Sequence, residues 1–299
     1  MKARIKSTIL LFLTAIIWGF AVVAQRVGAD YVGPFTFNGI RFLLGACSLI
    51  PVILIFKKEK FNKEKFLKTL FVGFAAGVIL FIGASLQQFG IEITGSVGKA
   101  AFLTGLYTIF VPVMRFMMGK RSSVLSFVGA AFALLGLFLL CMTGNRIAFG
   151  KGDVLLILGA VFWALHILVV DKFVNSVSPL KFSMMQFFFC GILSMIFALL
   201  TEDIQLSAIG SAGIPILYGG LMSVGIAYTC QILAQKNADP TFAAVVFSTE
   251  SVFGAIGGAI ILHEFMSRRG YLGCALIFIG IILSQLDLKT ILKLKETKK

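Results

Sequence analysis

Acidic side chains are scarce in this chain. Thirteen Asp and Glu stand against 27 Lys and Arg among 299 residues, and only 13% of residues are charged. A soluble domain averages about 25% charged residues, so a water-exposed globular surface is excluded. The two histidines have no HExxH spacing, and His263-Glu264-Phe265 alone is not a metal motif. All five cysteines (Cys47, Cys141, Cys190, Cys230, Cys274) lie singly in apolar segments with no CxxC spacing, so each reads as a small hydrophobe. No GxxxxGK[ST] loop occurs, which removes the backbone cradle that ATP hydrolysis needs. The short alternating segments of a membrane β-barrel are missing too. No linker or low-complexity stretch separates the apolar runs. The absence of an N-x-[ST] acceptor agrees with a bacterial inner membrane.

What the chain does have is apolar length. The hydrophobic fraction is 59% and the mean hydropathy is +0.99. Runs of 18 or more apolar residues recur, each long enough to cross a ~30 Å hydrocarbon layer. The expected spans are 6–28, 34–56, 67–91, 96–118, 124–143, 153–173, 179–200, 210–235, 241–262 and 269–287. The opening MKARIK and the run after it could pass for a signal peptide, but the run continues to about Val27 without a small-residue cleavage site and reads as the first helix. The net charge of +14 does not indicate nucleic acid, because the basic residues sit at helix ends and in loops. With the N-terminus inside, twenty Lys and Arg face the cytoplasm and six face the other side, so both termini are expected to be cytoplasmic.

The chain repeats itself. Trp18 and Trp163 are 145 residues apart, as are Pro34 and Pro179, each proline opening a helix where its missing N–H costs nothing. Gln87 and Gln231, Lys120 and Glu264, Gly129 and Gly273, and Gly136 and Gly280 are each 144 apart. One register thus aligns spans 1–5 with spans 6–10. Five is odd, so the second half must enter the membrane from the opposite side. The expected fold is an all-α polytopic membrane protein of ten transmembrane helices, built as two inverted five-helix repeats over 1–146 and 147–299. Inverted repeats of this kind are the design of alternating-access carriers.

Several short motifs sit in this frame: Trp18-Gly19; Pro34 followed by Arg41-Phe42; Thr249-Glu250-Ser251-Val252, similar to "lePv"; and Leu262-His263-Glu264-Phe265-Met266-Ser267, similar to "lgErls". With Gly273 and Gly280 of the last helix, they make the whole chain resemble the drug/metabolite transporter superfamily, in its ten-helix EamA-type branch. The chain departs from that pattern at Val252, where a proline is usual, and at Gly119-Lys120-Arg121-Ser122, where Gly-Glu-Arg is frequent. No GALNK-like segment of the nucleotide-sugar branch is present. The resemblance implies a transporter rather than an enzyme, without cofactor, which usually exports small metabolites such as amino acids. Expected partners are a small-molecule substrate, the lipid bilayer and protons, with a homodimer as a further candidate.

A charge inside a span is costly unless it faces a cavity or a partner. Glu250 lies about nine residues into span 9, roughly 14 Å up, and Arg41 seven residues into span 2, roughly 10 Å down. In a ~30 Å core their heights differ by only about 6 Å. They are the expected poles of a substrate site, Arg41 for a carboxylate and Glu250 for an amine or a proton. The bland readings are an Arg–Glu structural pair, or Arg41 snorkelling to the interface. Trp163 and His166 lie one turn apart on span 6 and suit an amine or aromatic group, with His166 a second proton candidate. Trp18, Tyr107, Gln87, Gln231 and Tyr228 complete the candidate lining, although an interhelical bond is the default for the amides and phenols. Gln88 shares that default. Asp153, Asp171 and Lys172 read as solvated helix ends, and Glu264 as a turn residue. Gly254 and Gly258 form a GxxxG step suited to close packing of span 9. An uncoupled facilitator or exchanger, an intramembrane enzyme and a passive scaffold are the rival functions. The enzyme lacks a nucleophile–base pair, and the scaffold does not account for inward polar residues.

Overall fold

The computed structural model describes residues 2–55, 62–95, 97–120, 123–141, 150–261 and 267–285. The expected junction of the halves at 146–147 and the His263–Glu264 turn lie outside the described residues. The first half contains α1 (Lys2–Gly28), α2 (Pro34–Ile55), α3 (Lys63–Thr94), α4 (Val97–Thr104), α5 (Tyr107–Met117) and α6 (Val124–Cys141). The second contains α7 (Lys151–Phe173), α8 (Pro179–Thr201), α9 (Leu206–Ser211), α10 (Gly213–Leu217), a π-helix (Tyr218–Tyr228), α11 (Thr229–Gln235), α12 (Pro240–Phe247), α13 (Glu250–Ile261) and α14 (Arg268–Gln285). No strand occurs among the described residues. Eight segments are long and apolar enough to cross a membrane, and Val124–Leu140 is a shorter apolar helix.

Helix starts follow local chemistry. Asn62 caps α3 by accepting from Lys65 N. Asp239 caps α12 by accepting from Thr241 N and Phe242 N, with Pro240 next, where no N–H is needed. Asp153 is not the solvated residue expected: it is fully buried and accepts from Gly150 N at 2.6 Å, closing the first turn of α7.

Three expected spans are not regular helices. The span expected over 96–118 breaks at Gly105–Leu106, and the one expected over 241–262 breaks at Ser248–Thr249. Leu106 and Glu250, the first residue past the second break, are 144 apart, so the interruption repeats with the sequence. At both breaks the chain tightens to i→i−3 bonds: Thr108 N to Gly105 O at 3.0 Å in one, Thr249 N to Val246 O at 3.0 Å in the other. Ser248 and Thr249 favour this by donating their hydroxyls back to Val245 O and Val246 O, at 2.6 and 2.7 Å. The expected span 210–235 starts at Gly213 and carries eleven residues of π-helix. Extra π turns of this kind are frequent at functional sites.

Packing respects the repeat. α3 lies along α7 and α1 along the π-helix; α1 packs on α13 and α7 on α5; α8 packs on α3 and the π-helix on α2. Exchanging the halves maps each member of these pairs onto the other. α2 with α8, and α6 with α14, are their own counterparts. The α6–α14 pair is antiparallel: a Cβ on Gly129 would lie 2.5 Å from Gly280 O, and one on Gly136 2.5 Å from Gly273 O. Gly254 packs against the Gly19 backbone, so part of the expected GxxxG step does bring α13 onto α1.

Candidate functional site

The two helix breaks end in the centre of the bundle, where they bring Tyr107, first residue of α5, beside Glu250, first residue of α13. The Tyr107 hydroxyl donates to Glu250 Oε1 at 3.4 Å. Each break places a helix start, with its partial positive charge, at this depth, which suits a carboxylate at that position. Thr108 Oγ1 donates to Ala244 O at 3.3 Å and ties the two broken helices together.

A cavity opens beside this pair, of about 520 Å³ counted with the space at its mouth. Its wall includes all nine residues singled out by sequence: Glu250, Arg41, Trp163, His166, Trp18, Tyr107, Gln87, Gln231 and Tyr228. Gln25, Thr104, Ser223 and Phe247 also line it. Gln88 does not; it donates to Gln25 O at 3.1 Å and packs the wall from behind. Gln87 lies on α3 and Gln231 on α11.

Arg41 resolves its alternatives. It is only 2% exposed, so it does not snorkel. It forms no ion pair with Glu250 or with any other described carboxylate. Its Nε donates to Asn38 Oδ1 at 3.0 Å, and its guanidinium carbon lies 4.8 Å from the Phe42 ring centre and 5.5 Å from that of Phe37. Cation–π contact with two rings offsets part of the desolvation but leaves the guanidinium's remaining donors for another acceptor.

The aromatic wall is built on Tyr228, at the C-terminal end of the π-helix. Trp18 meets it edge-on at 4.7 Å between ring centres, Trp163 lies stacked at 6.1 Å, and His166 is perpendicular at 6.0 Å. Trp18 also rests on Phe247 at 5.1 Å. Five buried polar atoms on cavity residues have no hydrogen-bond partner among the described residues: Trp18 Nε1, Trp163 Nε1, His166 Nδ1, Gln25 Oε1 and Gln231 Oε1. Buried polar groups are nearly always paired, so unpaired ones on several residues of one cavity wall mark a place for water or a ligand. No group of three metal-ligating side chains occurs among the described residues.

Away from the cavity, two ion pairs join the halves near the ends of α5 and α7. Arg115 pairs with Asp239, and Lys120 Nζ lies 3.8 Å from Asp171 Oδ2. Asp171 is therefore a partner in a bridge rather than a solvated end.

Sequence reading missed Gln25, Thr104 and Ser223 as lining residues, and Gln186 behind His166. Gln186 had a signal: it lies 145 residues after Arg41, in the register that pairs the two tryptophans.

A multi-pass helical bundle whose two related halves enclose a cavity with an unpaired guanidinium and a carboxylate is the architecture of a membrane transporter. The chain belongs to the EamA-like transporter family, whose profile matches residues 5–142 and again 150–286. It is 26% identical over 287 residues to an uncharacterized transporter of Archaeoglobus fulgidus, covering 95% of this chain and 87% of that one. The uncharacterized inner membrane transporter YedA of Escherichia coli K12 is 22% identical over 278 residues, covering 91% and 88%. A solved crystal structure shares the fold, with a TM-score of 0.78 at 18% identity over 93% of this chain and 96% of that one.

Proposed function

We propose that this transporter is a secondary active carrier that exports small metabolites bearing an amine, a carboxylate or both, such as amino acids, across a bacterial inner membrane. The single observation that carries the reading is Arg41, buried in the cavity wall with no carboxylate partner among the described residues. A lone charge at this depth is costly, and that cost is offset when a substrate carboxylate completes the pair. Glu250 faces the same space from the second half and takes the amine or carries the coupling proton, with His166 the other proton site.

Repeats 1–146 and 147–299 rock around this cavity in the proposed cycle. With both termini cytoplasmic, the Arg115–Asp239 and Lys120–Asp171 bridges lie on the inner side and hold it closed. The breaks at 105–106 and 248–249 divide the helices at the depth of the site, as discontinuous helices do in carriers of inverted design.

The test is a thermal-shift screen of amino acids, amines and carboxylates on purified protein, followed by counterflow with the hits in proteoliposomes. Saturable counterflow that a pH gradient accelerates is the expected result. Counterflow indifferent to the gradient makes the protein a facilitator or exchanger. No ligand and no flux from the whole panel overturns the carrier reading.

A further inference from the structure

His166 is held from outside the cavity. Its Nε2, on α7, lies 2.9 Å from Gln186 Oε1, on α8. Both residues are buried, at 1% and 0% exposure, and Gln186 is not part of the cavity wall. With the Gln186 amide oxygen turned toward the ring, this bond takes the proton on Nε2 and leaves Nδ1 as a bare lone pair, while Gln186 Nε2 finds no partner among the described residues. That Nδ1 has no partner, on a residue that does line the cavity. Two rings flank it: Tyr228 stands perpendicular to it at 6.0 Å and Trp163 at 6.4 Å.

We propose that Gln186 is a positioning residue, fixing His166 as the Nε2–H tautomer so that Nδ1 accepts an N–H or O–H of the substrate. The repeat explains why the two ends differ. The register that pairs Trp18 with Trp163 pairs Arg41 with Gln186 and Ala21 with His166. In the first half a long donor, Arg41, reaches the cavity over a small Ala21. In the second, the equivalent of Arg41 stays behind the wall and presents an acceptor through His166. The two-fold axis thus sets a donor pole against an acceptor pole, which fits a ligand carrying an acceptor at one end and a donor at the other. This inference rests on the cavity being the substrate site, but the tautomer itself can be read without any substrate.

The chain has only two histidines, so 15N-histidine labelling of a His263→Ala protein isolates the His166 ring. At pH 8 without ligand, the expected spectrum is one tautomer, with Nε2 protonated and Nδ1 of pyridine type. Gln186→Met, nearly isosteric, should give a tautomer mixture, and Gln186→Glu, which also accepts, should restore the single Nε2–H form. Benzylamine should move the Nδ1 resonance by several ppm, whereas benzoate should not. A predominant Nδ1–H form in the unsubstituted ring overturns the proposal even if the variants do not fold. So does a Gln186→Met spectrum unchanged from the parent. An Nδ1 resonance unmoved by benzylamine overturns the acceptor role. Transport failure in proteoliposomes would leave the ligand-free spectra unchanged, so the two readings fail separately.

Discussion

Gly129 and Gly280 meet backbone to backbone, with the Cβ that either lacks falling 2.5 Å from the other's carbonyl oxygen. Seven residues along, Gly136 and Gly273 meet in the same way with the chains running in opposite directions. Four of the residues that mark the repeat in the sequence therefore form one of the contacts between the halves.

Two effects oppose each other when such a glycine becomes alanine. Helix propensity favours alanine by up to about 1 kcal/mol. A contact under 3 Å with backbone forces the helices apart, at about 1–3 kcal/mol for overpacking. At Gly136 the steric effect should win, and Gly136→Ala should lower the melting temperature in detergent by several degrees. Gly210, exposed in α9 with nothing within 4 Å of its missing Cβ, is the control. There alanine should be neutral or stabilising.

Glu250→Gln keeps the shape of the side chain and its contact with Tyr107 while fixing it in an uncharged form. Flux should fall at least tenfold, and whatever pH dependence the parent shows should flatten. The melting temperature should hold, because no ion pair is broken. Parent-like flux and pH response at matched reconstitution would remove Glu250 from the mechanism.

Arg41→Lys retains the charge but loses the planar fork and its ring contacts. A charge-assisted bond is worth about 1.5–3 kcal/mol, so KM for a carboxylate substrate should rise roughly 10- to 100-fold. Substrates without the carboxylate should be affected far less. An equal rise for both kinds would show that Arg41 shapes the wall rather than binding the anion.

Glu202, just past α8, accepts from Phe35 N and Thr36 N at 2.7 and 2.8 Å and from Thr36 Oγ1 at 2.6 Å. It thus caps α2 from the other half. Glu202→Ala should cost about 1–2 kcal/mol, read as a lower melting temperature, and Glu202→Gln should cost less because one oxygen still accepts. An unchanged melting temperature in both variants would show that water replaces the cap.

Much of this was legible in the chain because lipid leaves few choices. Backbone groups without water must pair locally, so long apolar runs become helices; ten spans were expected, and the described residues give eight segments of spanning length and one shorter apolar helix. The 144–145 register came from Trp, Pro, Gln and Gly pairs, but that its glycines meet between α6 and α14 came from the structure. Arg41 and Glu250 stood out because charge is rare at depth. Gln25, Thr104 and Ser223 did not, since small polar residues are ordinary inside bundles and only their orientation sets them apart. The helix breaks were hidden because Gly105 and Ser248–Thr249 are tolerated in unbroken helices.

The sequence by itself determined that this chain is a helical membrane protein of two related halves with a costly charge in each. Hydropathy and residue spacing are enough for that, because both act along the chain. Only the tertiary structure decided that Arg41 has no counter-ion among the described residues, that Tyr107 rather than Arg41 meets Glu250, and that Gln186 meets His166. Those are contacts between helices far apart in the chain. They depend on how the breaks and the π turns rotate each side chain, and no local pattern encodes that rotation.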